Sequence, residues 1–280
     1  METKQIKGLK RNIIDKYYTK NDVVHLCLNF VEKHVKINTK KDIIIEPSAG
    51  NGSFIPGIKS LCRNFEFYDL EPENDEIMKQ DYLLYDFDII KKTFDKIHII
   101  GNPPFGRQSS LAIKFIKKSC SFGDSVSFIL PKSFKKDSLK KRFPLNFYLI
   151  FEIDLPDKSF LVDDVEHNVP CIFQIWEKKT INRVVLKKLE PIHFLFVKKT
   201  ENPDISFRRV GVNAGKIDRE IDEKSIQSHY FIKFTNRKST TENIKKLSTI
   251  VYDFDNTVGP KSISKQELIF KFNPLLKSMK

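Results

Sequence analysis

Short apolar runs along this chain alternate with stretches whose apolar positions recur at helical spacing. Asp42–Glu46, Phe65–Asp69, Lys96–Ile100, Ser125–Leu130, Phe147–Leu155 and Val169–Trp176 each read as a strand. Val23, Val24, Cys27, Leu28 and Val31 follow a period near 3.6 and predict a helix from Asn21, capped by Thr19 or Asn21. Leu111, Ala112, Phe115 and Ile116 mark a second helix over Ser109–Ser119, and the turn Pro47–Phe54 leads into another. Strands alternating with helices predict an α/β fold with a doubly wound, mostly parallel sheet. From about Lys178 the pattern changes to short β-like runs at 183–186, 193–197, 205–210 and 230–234, then helical candidates near 241–250 and 263–271. The predicted layout is a basic segment 1–16, an α/β domain 17–178 and a smaller mixed extension 179–280. The sequence holds no internal repeat and no low-complexity segment.

Two turns interrupt this pattern with residues suited to chemistry. The run Lys96–Ile100 ends in Gly101-Asn102-Pro103-Pro104-Phe105-Gly106. Neither proline can donate to a ladder, so the backbone leaves the sheet at Asn102 in a stiff turn. Such a turn lies at the carboxyl ends of the strands, where an α/β sheet opens its crevice. Asn102 offers an amide oxygen, Pro103 a carbonyl and Phe105 a flat apolar face, a set that suits the exocyclic amine of a planar base. An ordinary strand-terminating turn is the alternative. The other turn is Glu46-Pro47-Ser48-Ala49-Gly50-Asn51-Gly52, whose glycines let a ligand approach the backbone. It lacks the Gly-Lys-Ser/Thr ending of a P-loop and the full dinucleotide spacing. Asp69 follows at about the 20-residue separation of a carboxylate that binds ribose hydroxyls. Asp81 is placed to accept from an adenine amine, with Tyr82 packing on the ring. For either acid the alternative is a solvated loop residue.

Composition narrows the partner. The 280 residues suffice for one large core, or a core with an appended subdomain, and the 40% hydrophobic and 30% charged content is that of a globular protein. The net charge of +13 fits attraction to a phosphate backbone, against the alternative of a merely Lys-rich surface. Arg107, and Arg208, Arg209 and Lys216 among small residues and glycines, are the candidates for nucleic-acid contact; a salt-bridged surface hairpin is the alternative for the latter group. No apolar run approaches ~20 residues, so no membrane span is expected. The start of the chain is polar without a signal-peptide core, which predicts an intracellular protein. Cys27, Cys62, Cys120 and Cys171 match no zinc motif and read as buried thiols, so no metal site is expected.

Together these elements resemble the S-adenosylmethionine-dependent amino-methyltransferases, in particular the adenine-N6 branch: DNA adenine methyltransferases and stand-alone members in viruses and protists. Tyr17-Tyr18-Thr19, Glu46-Pro47 with Gly50 and Gly52, Asp69, Asp81-Tyr82 and Asn102-Pro103-Pro104-Phe105 stand in that family's order. The resemblance implies a seven-stranded, Rossmann-like methyltransferase sheet. It implies that Tyr18 and Thr19 hold the methionine end of the cofactor, that Glu46, Ala49, Gly50 and Gly52 form its floor, and that Asp69 and Asp81 bind its ribose and adenine. It places the target base against Phe105 with Phe160 as second face, and gives Asn102 and Pro103 its amine hydrogens. The implied activity is N6-methylation of adenine in nucleic acid, with DNA preferred and structured or cap-adjacent RNA as the alternative. Enzymes acting on a glutamine amide of a release factor share the motif, and a non-catalytic nucleic-acid-binding subunit is a further alternative. The short C-terminal region departs from enzymes that read a DNA sequence.

Overall fold

The computed structural model describes residues 17–185, 187–252 and 261–277, and the expected basic segment 1–16 lies outside them. The chain forms two compact units that divide between Val184 and Val185.

In chain order the first unit carries strands β1 (Tyr18–Thr19), β2 (Ile43–Glu46), β3 (Phe65–Asp69), β4 (Met78–Lys79), β5 (Ile97–Gly101), β6 (Ser125–Pro131), β7 (Phe147–Asp154), β8 (Phe160–Val162), β9 (Val165–His167) and β10 (Cys171–Lys178). Its helices are α1 (Asn21–His34), α2 (Ile55–Leu61), α3 (Asp88–Thr93), α4 (Ser110–Phe122) and the single turn α5 (Asp137–Lys140). Seven strands make one sheet in the order β4-β3-β2-β5-β6-β10-β7. The pairings β3–β4, β2–β3, β2–β5 and β5–β6 are parallel; β10 runs antiparallel between β6 and β7. This is the doubly wound, mostly parallel seven-stranded sheet expected from the sequence.

Every residue of β2 is buried, because helices cover both faces of the sheet. Ile43 and Ile45 point into one core with Ala112, Phe115 and Ile116 of α4, while Ile44 points into the other with Val24, Cys27 and Leu28 of α1. That two-sided burial is why the strand reads as a continuous apolar run rather than an alternating one. Strand order reverses between β2 and β5, and at such a switch point the crevice opens beyond the carboxyl ends of the strands. The Glu46–Gly52 and Gly101–Phe105 turns leave the sheet at this place.

Several boundaries differ from those expected. Lys20, not Thr19 or Asn21, occupies the N-cap of α1 and makes no side-chain cap. Thr19 instead lies in β1, which pairs with β8 and, through it, β9 in a three-stranded ribbon. The two-residue β4 was not expected, since Met78 and Lys79 are both exposed and carry no apolar signal.

In the second unit, β11 (Phe194–Val197), β14 (His229–Phe234), β12 (Ile205–Arg208) and β13 (Ile217–Asp218) form an antiparallel sheet in that order. Phe194, Ile205, Phe207 and Ile232 share a core with Leu247 of α6 (Thr240–Leu247) and Leu268, Ile269 and Phe272 of α7 (Lys265–Lys277). The run 183–186 was expected to be β-like; its described residues 183–185 form no strand.

Candidate active site

The Glu46–Gly52 turn is held open by glycines in left-handed conformations, φ +54° at Gly50 and +85° at Gly52. A Cβ on Gly50 would lie 3.1 Å from Tyr18 Cε1, so the glycine also admits the tyrosine ring. Gly50 N donates to Asp69 Oδ2 at 2.9 Å, and Glu71 N donates to Asp69 Oδ1 at 2.9 Å. The Asp69 carboxylate is thereby fixed at the end of β3, with accepting capacity left over, since two oxygens offer about four lone-pair sites. At Asp81, Leu83 N donates to Oδ1 at 2.9 Å, while Oδ2 makes no hydrogen bond among the described residues. The Tyr82 ring stacks on Phe115 at 5.5 Å and 9°, with its hydroxyl 2.8 Å from Ser119 Oγ.

Asn102 closes the site from the neighbouring strand. Its Nδ2 donates to Tyr17 O at 3.2 Å and to Thr19 Oγ1 at 3.2 Å, and its own carbonyl accepts from Ser48 Oγ at 3.2 Å. With Nδ2 spent, the amide orientation is set, and Oδ1 is left as a buried acceptor without a hydrogen-bond partner among the described residues. A second orphan lies close by in the fold: Glu46 is 1% exposed, and its Oε2 also has no partner among the described residues. Gly101 makes room for this side chain, since a Cβ there would lie 3.2 Å from Glu46 Cγ. Burial, and secondarily the charge of Asp69, push the Glu46 carboxyl well above the usual carboxylate range.

These side chains line one cavity of about 370 Å³, which brings together Tyr18, Thr19, Glu46, Ala49, Gly50, Asp69, Asp81, Tyr82, Asn102 and Pro104. Gly52 shapes the turn without lining it. Pro103 is buried, and its carbonyl accepts no hydrogen bond among the described residues. Phe105 is half-buried and packs against both cores. Phe160, expected as a second face for a base, is 1% exposed and offers no free face. It sits beneath Tyr17, with ring centroids 6.3 Å apart at 77°, and Tyr17 is the exposed aromatic there at 36%. Tyr17 and Ser48 stand within the quoted sequence motifs without a role assigned to them, and Phe115 reads from its spacing as helix core; all three line the cavity.

Of the basic candidates, Arg107 belongs to the first unit and is not among the residues that line the cavity. Arg107 is exposed in the turn before α4. Arg208, Arg209 and Lys216 belong to the second unit, where Arg208 N donates to Lys216 O at 2.8 Å. Arg208 donates to Val210 O at 2.8 Å, and Arg209 to Gln227 O at 2.8 Å. The expected alternative of pairing with acids is not what holds them: Asp218 and Glu220 pair with Lys224 at 3.0 and 3.1 Å.

No protein-family model and no curated protein sequence matches the chain. Among solved structures it is similar to one from Pyrococcus horikoshii provisionally named an RNA methyltransferase, at 16% identity and a TM-score of 0.47, covering 62% of this chain and 92% of that one. A provisionally named class I S-adenosylmethionine-dependent methyltransferase from Listeria monocytogenes is similar at 15% identity and TM-score 0.46, covering 64% and 67%. A 23S rRNA methyltransferase is similar at 9% identity and TM-score 0.41, covering 62% and 72%. Likenesses this distant assign neither reaction nor substrate to this chain, and both must come from the site.

Proposed function

We propose that this chain is an S-adenosylmethionine-dependent methyltransferase that acts on the exocyclic N6 amine of adenine in nucleic acid. The observation that carries the reading is Asn102: a buried acceptor whose amide is clamped from behind and whose oxygen has no partner. Leaving such a group unpaired costs about 1–3 kcal/mol, so the protein holds it ready for a donor that arrives with a ligand.

The cavity fits the cofactor by charge. Glu46, Asp69, Glu71 and Asp81 line it, and among the described residues no Lys, Arg or His does, although the whole chain carries +13. Such a lining repels a pyrophosphate and accepts a cation bearing hydroxyls and amines. Asp69 and Asp81 would take the ribose hydroxyls and the adenine amine, and Tyr18 and Thr19 the methionine end. When bound, S-adenosylmethionine supplies a methyl group already activated by its sulfonium.

The chain's part is then positioning and electrostatics. An adenine amine nucleophile is weak because its lone pair is delocalised into the ring. Asn102 Oδ1 and Pro103 O, each accepting one amine hydrogen, favour a pyramidal nitrogen and release that lone pair. Phe105 packs on the base, which must be flipped out if it comes from a duplex. The net charge supports a nucleic-acid substrate. DNA is the first candidate and structured RNA the second.

Asn102→Ala tests the assignment. Transfer should fall by about 100-fold or more, as when one preorganised hydrogen-bond donor or acceptor is removed. Calorimetric affinity for S-adenosylhomocysteine should change little. Undiminished transfer by this variant would refute the role of Asn102.

A further inference from the structure

We propose that Glu46 is the residue by which this cavity selects a positively charged ligand, and that it gives up its proton to solvent when the cationic cofactor enters. The inference rests on the cofactor assignment above and adds a specificity determinant and a proton to it.

Glu46 lines the cavity, and its Oε2 is buried with no hydrogen-bond partner among the described residues. A buried carboxylate without a donor or a countercharge is costly, so the free protein keeps the group neutral. Among the described residues, none that lines the cavity is a Lys, Arg or His. Asp69 at the end of β3 adds a like charge, and Glu71 and Asp81 line the same cavity. Gly101 at the end of β5 and Asn102 after it are not titratable, and the Tyr17–Thr19 segment contributes only two phenols and a hydroxyl. The described residues thus leave the countercharge to the ligand. A ligand bearing an ammonium or a sulfonium reverses the balance: the opposite charge favours the ionised form and expels the proton. A neutral or anionic ligand of the same shape leaves the cost unmet. Because the group is protonated free and ionised bound, affinity rises with pH until pH exceeds its free-state pKa.

Calorimetry on the full chain tests this, with S-adenosylmethionine as probe in two buffers of different ionisation heat. The pH is kept between about 6 and 7, below the α-amino range of about 7.7–8.0. We expect a release approaching one proton per cofactor bound, and an affinity that rises with pH. Glu46→Gln keeps the shape and removes the proton. It should release none and bind about tenfold more weakly, as when a charged hydrogen-bond partner is removed, at an unchanged melting temperature. Release with S-adenosylhomocysteine as well assigns the ammonium as the cation sensed; release with S-adenosylmethionine alone assigns the sulfonium. Binding without proton release, or equal release from a folded Glu46→Gln protein, overturns the proposal while leaving the cofactor assignment standing. No binding at all overturns that assignment and the proposal with it.

Discussion

A single amide shows how the site is assembled residue by residue. Asn102 was legible in the sequence because two prolines force the strand to end beside it. What orients it was not legible, since Tyr17 and Thr19 lie more than eighty positions away, and Thr19 reads as a helix cap from local pattern alone. In the structure Thr19 Oγ1 accepts from Asn102 Nδ2, and on the proposed reading Thr19 is a positioning residue. Thr19→Val is nearly isosteric but cannot accept that hydrogen. Its kcat should fall about tenfold, comparable to one missing hydrogen bond of roughly 1–1.5 kcal/mol. Thr19→Ser should restore it, and Thr19→Ser as impaired as Thr19→Val would argue for packing instead. At Gly50, the φ of +54° opposes a side chain, and so does the Tyr18 ring, 3.1 Å from where a Cβ would stand. Gly50→Ala should lower stability by about 1–2 kcal/mol, the cost of a left-handed conformation. It should also weaken cofactor binding by displacing Tyr18, as urea midpoints and calorimetry on one preparation would show.

Among the elements, the strands were the most readable part, because burial on both faces makes each central one a continuous apolar run. The helices α2 and α3 are six or seven residues long and bury few positions, so periodicity gives them little signal. The same short range hides a polar cluster at the amino ends of the central strands, away from the turns that shape the cavity. His98 Nδ1 lies 2.7 Å from Ser125 Oγ and Nε2 lies 3.3 Å from Asp42 Oδ2, all three buried. Asp42 Oδ2 also accepts from Asn38 N at 2.7 Å, which fastens the entry to β2. Burial lowers the His98 pKa despite its Asp42 partner. The unfolded chain therefore binds the proton more readily than the folded one. This contribution to stability is present above the unfolded value of about 6.5 and is lost as pH falls through the lower folded value. Urea midpoints should decline from pH 7.5 to 5.5 in the wild type, and less steeply in His98→Gln. Parallel declines would remove His98 from the acid sensitivity.

For the whole molecule, the sequence pattern changes near Lys178, the compact units divide between Val184 and Val185, and the second sheet was only partly legible. Its strands are two to six residues long and pair with partners distant in sequence. Arg208 and Arg209 are tied to backbone carbonyls, so replacing both with Gln should lower the melting temperature. Arg107 and Lys216 are exposed. Neutralising them should flatten the slope of log affinity for nucleic acid against log salt by about 0.7–0.9 for each phosphate they neutralise, without changing the melting temperature. An unchanged slope would remove both from the binding surface. The central claim, methyl transfer to an adenine amine, is tested most directly by locating the transferred methyl. The full chain is incubated with methyl-tritiated S-adenosylmethionine and separate pools of duplex DNA, single-stranded DNA, tRNA, rRNA and capped RNA, and each pool is digested to nucleosides. The account predicts label in N6-methylated adenine nucleoside from at least one pool, and none from the same pool with Asn102→Ala. Label on cytosine, on a ring nitrogen or on ribose would contradict it.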